Sequence, residues 1–294
     1  MLVTPLFFST NLIFGRFVVD EVAPFSLAFL RWASVAVALS PFLLRERDAA
    51  RRVLRTDAAL VALLGVLGMW ICGAIVYLAL DLTTATNGTL IYTTSPVIIL
   101  LIEAMFRGRR IGRREVIGSV VAFVGVAVIV LRGDLDALLT LDVNAGDLLF
   151  AGTAVAWAVY SILYRSPRLA PLSNLALFAA VAGAGALTLL PFAAAEFLLG
   201  QAMPRTASAW GGIAGIVVFS SLLAFSGFQY GVRRLGPSAA GVFMYLLPLY
   251  GVLLAVTFLG ERFHAFHMAG IALVVGGIAL ATAPAVLFRG RVAR

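Results

Sequence analysis

Thr83-Thr84-Ala85-Thr86-Asn87-Gly88-Thr89-Leu90-Ile91-Tyr92-Thr93-Thr94-Ser95-Pro96 runs without interruption into the apolar residues 97–102. Together they form a stretch long enough to cross a bilayer, yet its first half is made of hydroxyls and amides. Hydrocarbon does not solvate such groups, so they must face protein or water. The stretch predicts an integral membrane helix whose polar half lines a water-filled cavity ending near mid-span, at a proline.

Outward from this stretch the apolar character recurs along the whole chain. The 294 residues are 62% hydrophobic and 12% charged, with mean hydropathy +1.04, whereas soluble domains are about half apolar and about a quarter charged. Ten segments come close to the ~20 residues that cross a bilayer: 2–19, 25–44, 58–80, 86–106, 115–131, 147–164, 174–198, 209–230, 238–258 and 266–288. The expected fold class is therefore all-α integral membrane with ten transmembrane helices. The first segment has no small-residue cleavage site before Asp20-Glu21, so it reads as a retained helix.

Net charge is +8, and all 22 basic residues are arginine. Their positions point to a bilayer and not to nucleic acid. Arg45, Arg47, Arg51, Arg52 and Arg55 join spans 2 and 3, and Arg107, Arg109, Arg110, Arg113 and Arg114 join spans 4 and 5. Arg165 and Arg168 join spans 6 and 7, Arg233 and Arg234 join spans 8 and 9, and Arg289, Arg291 and Arg294 close the chain. The alternate connections hold only Arg132, Arg205 and Arg262, with most loop carboxylates: Asp20, Glu21, Asp81, Asp134, Asp136, Asp142 and Glu261. The positive-inside rule puts the arginine-rich side and both termini in the cytoplasm of a bacterial inner membrane.

An offset of 152 residues aligns Pro96 with Pro248, Leu101 with Leu253, Phe106 with Phe258, Gly108 with Gly260, Arg110 with Arg262, Gly118 with Gly270, Gly125 with Gly277 and Ala127 with Ala279. The chain then divides into a five-helix repeat over 1–132, a linker over 133–146, a second repeat over 147–288 and a basic tail over 289–294. Five spans is an odd number, so the second repeat enters the membrane inverted. Inverted repeats recur in secondary transporters, with substrate near midplane at the repeat interface.

Candidate central-cavity residues follow from polarity or aromaticity within the spans: Asn11, Trp70, Tyr77, Asn87, Tyr92, Thr93, Trp157, Tyr160, Gln229 and Tyr245. Each taken singly reads as packing; as a set they suit an amphipathic zwitterion. Thr93 and Tyr245, aligned by the repeat, are expected to aim at a shared centre. Pro96 and Pro248 lack an N–H and are candidate hinges. Arg31, about 9 Å into the second span, reads first as a structural pair with Asp20 or Glu21 and second as an anchor for a substrate carboxylate. Glu103 is expected to pair with Arg107 one turn on, and Arg16 to snorkel to the membrane edge.

No P-loop is present. His264 and His267 with the single Cys72 make no metal site or disulfide, and no catalytic triad can be placed in the spans. The expectation is a non-enzyme without cofactor. Carboxylates avoid the middle of the spans, which favours facilitated movement over proton coupling. Export of cationic aromatic drugs and a lipid or polyprenol flippase or modifying protein are the other readings.

Leu30-Arg31-Trp32-Ala33, Pro248, Leu259-Gly260-Glu261-Arg262, Gly270 and Gly276-Gly277 resemble the drug/metabolite transporter superfamily, EamA type, over the whole chain. Ser9-Thr10-Asn11-Leu12-Ile13-Phe14-Gly15-Arg16 is similar to the aromatic amino-acid exporter (YddG-like) branch. The first-repeat counterpart of Glu261 is Arg109, so the Gly-Glu turn survives only once. The resemblance implies export of amino acids or similar small metabolites, and we expect a monomer in the bilayer.

Overall fold

The computed structural model describes residues 1–15, 17–18, 20–80, 82–109, 111–134, 144–259 and 262–282. Arg16, Arg110, the Gly260-Glu261 turn, most of the 133–146 linker and the 289–294 tail lie outside the described residues. Those described form helices and turns without a strand. The long helices are α1 (Val3–Gly15), α2 (Pro24–Arg45), α3 (Ala58–Ala79), α4 (Thr86–Arg107), α5 (Arg113–Val130), α6 (Ala145–Tyr164), α7 (Asn174–Leu198), α8 (Ala207–Leu235), α9 (Pro237–Phe258) and α10 (Ala265–Thr282).

Eight of these, α2 to α4 and α6 to α10, are long and apolar enough to cross a membrane. Helix α1 is shorter and is interrupted at Thr10, while α5 opens on Arg113, Arg114 and Glu115. Large apolar side chains such as Val37, Met105 and Leu187 point outward and are more than 70% exposed, a surface suited to lipid.

The connection between α2 and α3, expected as a loop, is instead a helix over Arg47–Thr56. Ala50 and Val53, three residues apart, face the bundle, and Arg51, Arg52 and Arg55 face out. That spacing gives one apolar and one charged face.

Two helices break where proline demands it. In α4 the helical pattern lapses at Thr93-Thr94 and restarts at Ser95, with Pro96 in the first turn. The amides of Val97 and Ile98 both turn to the Thr94 carbonyl, at 2.9 and 3.1 Å. In α9 a 3-10 turn over Phe243–Tyr245 precedes Pro248. Two others swell: α3 is a π-helix over Val66–Ile75, and α8 over Ile216–Leu223.

Hydrogen bonds and an ion pair gather the connections at two ends. At the arginine-rich end Glu46 accepts from the Ser173 amide at 2.8 Å, Arg168 meets Asp57 at 3.8 Å, and Arg107 donates to the Ile162 carbonyl at 3.2 Å. At the arginine-poor end the Ala23 amide donates to the Ala202 carbonyl at 2.9 Å, and Thr83 donates to Asp147 at 2.6 Å. There Glu196 of α7 caps α2, accepting from the amides of Phe25 and Ser26 at 3.0 and 2.6 Å and from the Ser26 hydroxyl at 2.7 Å.

The most extensive helix pairs are α2 with α7 and α5 with α10. Helix α1 packs on α8 and α9, as α6 packs on α3 and α4. A Cβ on Gly118 would stand 2.5 Å from the Gly277 carbonyl, and one on Gly125 would stand 2.7 Å from that of Gly270. Only glycine permits so close a crossing.

Candidate functional site

The two π-helical stretches face the middle of the bundle, and there the side chains of α1, α2, α3, α4, α6 and α8 converge. Trp157 is the hub. Its ring stacks on Tyr160 at 5.5 Å and lies 4.8 Å from Phe228, 5.5 Å from Phe225, 6.3 Å from Phe8 and 6.4 Å from Tyr92. Gln229 donates to the Tyr160 hydroxyl at 2.6 Å, and both residues are fully buried. The Gln229 Oε1 and the Asn11 Oδ1 are buried without a hydrogen-bond partner. Tyr160 reaches this position because residue 68 is glycine: a Cβ there would lie 2.7 Å from its Cε2.

One turn along α8 from Phe225, the π-helix presents Ser220 and Ser221 to Arg31. The Arg31 Nε donates to Ser221 Oγ at 2.6 Å and Nη2 to the Ser220 carbonyl at 3.3 Å. Ser221 in turn donates to the Ile216 carbonyl at 3.0 Å, five residues back. The guanidinium lies 4.6 Å from the Trp32 ring centre and 5.7 Å from that of Phe225, with the Tyr77 and Tyr92 hydroxyls nearby. Thr10 of α1 meets the Ser220 hydroxyl at 3.2 Å.

This arrangement corrects the expected pairing of Arg31 with Asp20 or Glu21. Among the described residues no carboxylate lies within 4.0 Å of it. Glu21 accepts from Thr206 at 2.8 Å instead. The reason is depth: Arg31 stands two turns into α2 and points inward, whereas Glu21 precedes the helix.

Other candidates sit elsewhere. The Asn87 amide reaches Asp147 at 3.5 Å, at the arginine-poor end. Trp70 packs between Phe25 at 5.9 Å and Phe192 at 5.3 Å, on the side of α7. The Thr93 hydroxyl bonds its own helix at Leu90, 2.9 Å away. Tyr245 is turned by the 3-10 segment toward α5 and α10, among Ala122, Val126, Val274 and Ile278. Thr93 and Tyr245 therefore do not share a centre. Pro96 is buried against Gly241 of α9, and the Ser9 hydroxyl donates to the Leu247 carbonyl at 3.0 Å, just before Pro248.

Side chains take much of the space where the polar stretch predicts water, while Asn11, Tyr77 and Tyr92 stay only partly buried. The aromatic rings close on one another, some stacked and some edge to face, and the hydroxyls of Thr83, Thr93 and Thr94 are spent on Asp147 or on their own helix. A polar cavity of about 80 Å³ lies at the arginine-rich end, lined by Glu103, Arg109, Arg165, Leu235, Gly236, Ser238 and Ala239, and a more open one of about 370 Å³ lies at the arginine-poor end beside Glu21, Gln201 and Arg205. Glu103 meets Arg107 at 4.0 Å, as its spacing predicts, but also Arg109 at 3.7 Å and the Ser238 hydroxyl of α9. Ser220, Ser221, Phe225 and Phe228 escaped the sequence reading. For Ser221 and Phe225 the signal was their i, i+4 spacing with Gln229 on one face of α8.

Comparison with known proteins agrees with this architecture. The model of the EamA-like transporter family matches residues 1–131 and 144–283. The uncharacterized transporter YyaM of Bacillus subtilis is 25% identical over 270 residues, 91% of this chain and 87% of its own. The probable terminal-alkyne amino-acid exporter of Streptantibioticus cattleyicolor is 30% identical over 259 residues, 88% of this chain and 83% of its own. A crystal structure superposes with a TM-score of 0.77 at 25% identity, covering 95% of both chains. With the family model matched over both long stretches and eight helices suited to a bilayer, this chain belongs to the EamA-like transporter family.

Proposed function

We propose that the protein exports amino acids or closely related small metabolites across the bacterial plasma membrane by alternating access. The observation that carries this reading is the convergence, from five helices, of the buried Arg31, Trp157 and Gln229 with the partly buried Tyr77 and Tyr92. Cationic, hydroxyl, amide and aromatic groups together match a zwitterion with an apolar side chain. The relative named as an amino-acid exporter supports the same substrate class. A cationic drug would meet the charge of Arg31, which weighs against that alternative.

In this reading all ten helices cross the membrane as two inverted repeats, 1–132 and 147–288. Reciprocal contacts support it: the repeat offset exchanges Gly118 with Gly270 and Gly125 with Gly277, and so carries the Gly118–Gly277 crossing onto the Gly270–Gly125 one. Both termini are cytoplasmic, and the protein works as a monomer. Interruptions before Pro96 and Pro248 serve as hinges on which the repeats rock. Movement is facilitated and not proton-coupled. The buried carboxylates Glu103, Asp147 and Glu196 all stand near helix ends, engaged with neighbours.

The test is uptake of labelled aromatic, aliphatic and charged amino acids into proteoliposomes of purified protein without an ion gradient. Saturable uptake is the expected result. Uptake that appears only with a pH gradient would replace facilitated movement by coupling, and none under either condition would overturn the substrate class.

A further inference from the structure

We propose that Arg31 is the carboxylate anchor of the transported molecule, so that the central site takes a small monocarboxylate with an apolar or aromatic body. The inference rests on the transport reading above and names the group its site recognises. Arg31 is only 7% exposed and stands two turns into a membrane helix. Such a charge is costly unless an opposite charge or a full set of hydrogen bonds meets it. Its neighbours are all neutral: the Ser221 and Tyr77 hydroxyls, the Ser220 carbonyl, and the faces of Trp32 and Phe225.

The carboxylates that a purely structural arginine would use are engaged elsewhere. Glu196 caps α2, Asp147 holds Thr83, and Glu103 holds Ser238 with Arg107 and Arg109. A guanidinium fork fits a carboxylate in two parallel hydrogen bonds. Both bonds to α8 use Nε and Nη2, and they exist because the π-helix turns Ser220 and Ser221 toward α2.

The surroundings also orient the remainder of such a molecule. From the guanidinium, Phe225 is 5.7 Å away and leads to Trp157 at a further 5.5 Å, with Tyr92 at 6.4 Å from Trp157. An apolar body lies against these rings. An ammonium on the carbon that bears the carboxylate meets the faces and hydroxyls of Tyr77 and Tyr92.

The test pairs ligands that differ in the carboxylate alone, on the intact protein in detergent and in proteoliposomes. L-phenylalanine is compared with L-phenylalaninamide, L-leucine with L-leucinamide, and 3-phenylpropanoate with 3-phenylpropanamide, by thermal stabilisation and by competition for uptake. In the unaltered protein the carboxylate member should win by at least about tenfold, the discrimination of one charge-assisted pair. Arg31→Met should bring the ratio to about one, and Arg31→Lys should restore part of it. An Arg31→Met protein that folds and keeps the preference overturns the proposal, as does the absence of any preference in the unaltered protein. Should Arg31→Met not fold, Ser221→Ala, which loosens the guanidinium, must lower the same ratio. Arg31-dependent binding of 3-phenylpropanoate with no amino-acid uptake would uphold the anchor and overturn the amino-acid reading. Amino-acid uptake indifferent to the amide would do the reverse.

Discussion

Gln229 illustrates how one side chain ties packing to function. It donates to Tyr160 while its own Oε1 has no partner. Gln229→Leu removes the donor and the unpaired acceptor together, so stability should change by less than about 1.5 kcal/mol. Uptake should nevertheless fall at least about tenfold if the amide is used by cargo. Uptake rate per unit of folded protein, beside a thermal unfolding curve, separates the two roles, and loss of folded yield would make Gln229 core. Gly68→Ala acts on the same ring by another route. Its Cβ would sit 2.7 Å from Tyr160, and the overpacking should cost about 1–3 kcal/mol, read as a lowered unfolding midpoint.

At the scale of elements, helix ends and crossings set the positions of these side chains. The Glu196 carboxylate takes two orphan amides and a hydroxyl at the start of α2, the helix that delivers Arg31. Glu196→Ala should cost about 1–3 kcal/mol, more than Glu196→Gln, in thermal unfolding of purified protein. The α5–α10 crossing gives a matched set. Gly118→Ala and Gly270→Ala should both destabilise, because their Cβ atoms would meet backbone or Ile129 within 2.5 Å. Gly276→Ala, which meets nothing within 4 Å, should be tolerated. The π-helices of α3 and α8 belong to this scale too. An extra residue per turn rotates one side of a helix relative to the other, and such segments often mark functional sites.

For the whole molecule, the decisive property is which end faces the cytoplasm. Bonds such as Glu46 to Ser173 and Arg168 to Asp57 gather the arginine-rich connections at one end. In a Cys72→Ser background, single cysteines at Arg51 and Arg168 should resist a membrane-impermeant thiol reagent in intact cells and react in inverted vesicles. A cysteine at Thr206 should do the opposite. The reverse pattern would invert the topology.

The amino-acid sequence by itself determined the membrane class, most helix boundaries among the described residues within a few residues, and the segregation of arginine, because these follow from local apolar length and loop charge. It also carried the break before Pro96, since proline lacks its N–H wherever it stands. The Arg47–Thr56 helix was legible in principle from its three-residue apolar spacing. Only the tertiary structure decided which polar groups meet. Asn87 turned to Asp147, Tyr245 to α5 and α10, and Arg31 away from Glu21 toward Ser220, Ser221 and Tyr77. Those choices depend on the rotation of each helix about its axis and on two π-helical insertions. Rotation is set by packing between segments far apart in the chain, which no local pattern encodes.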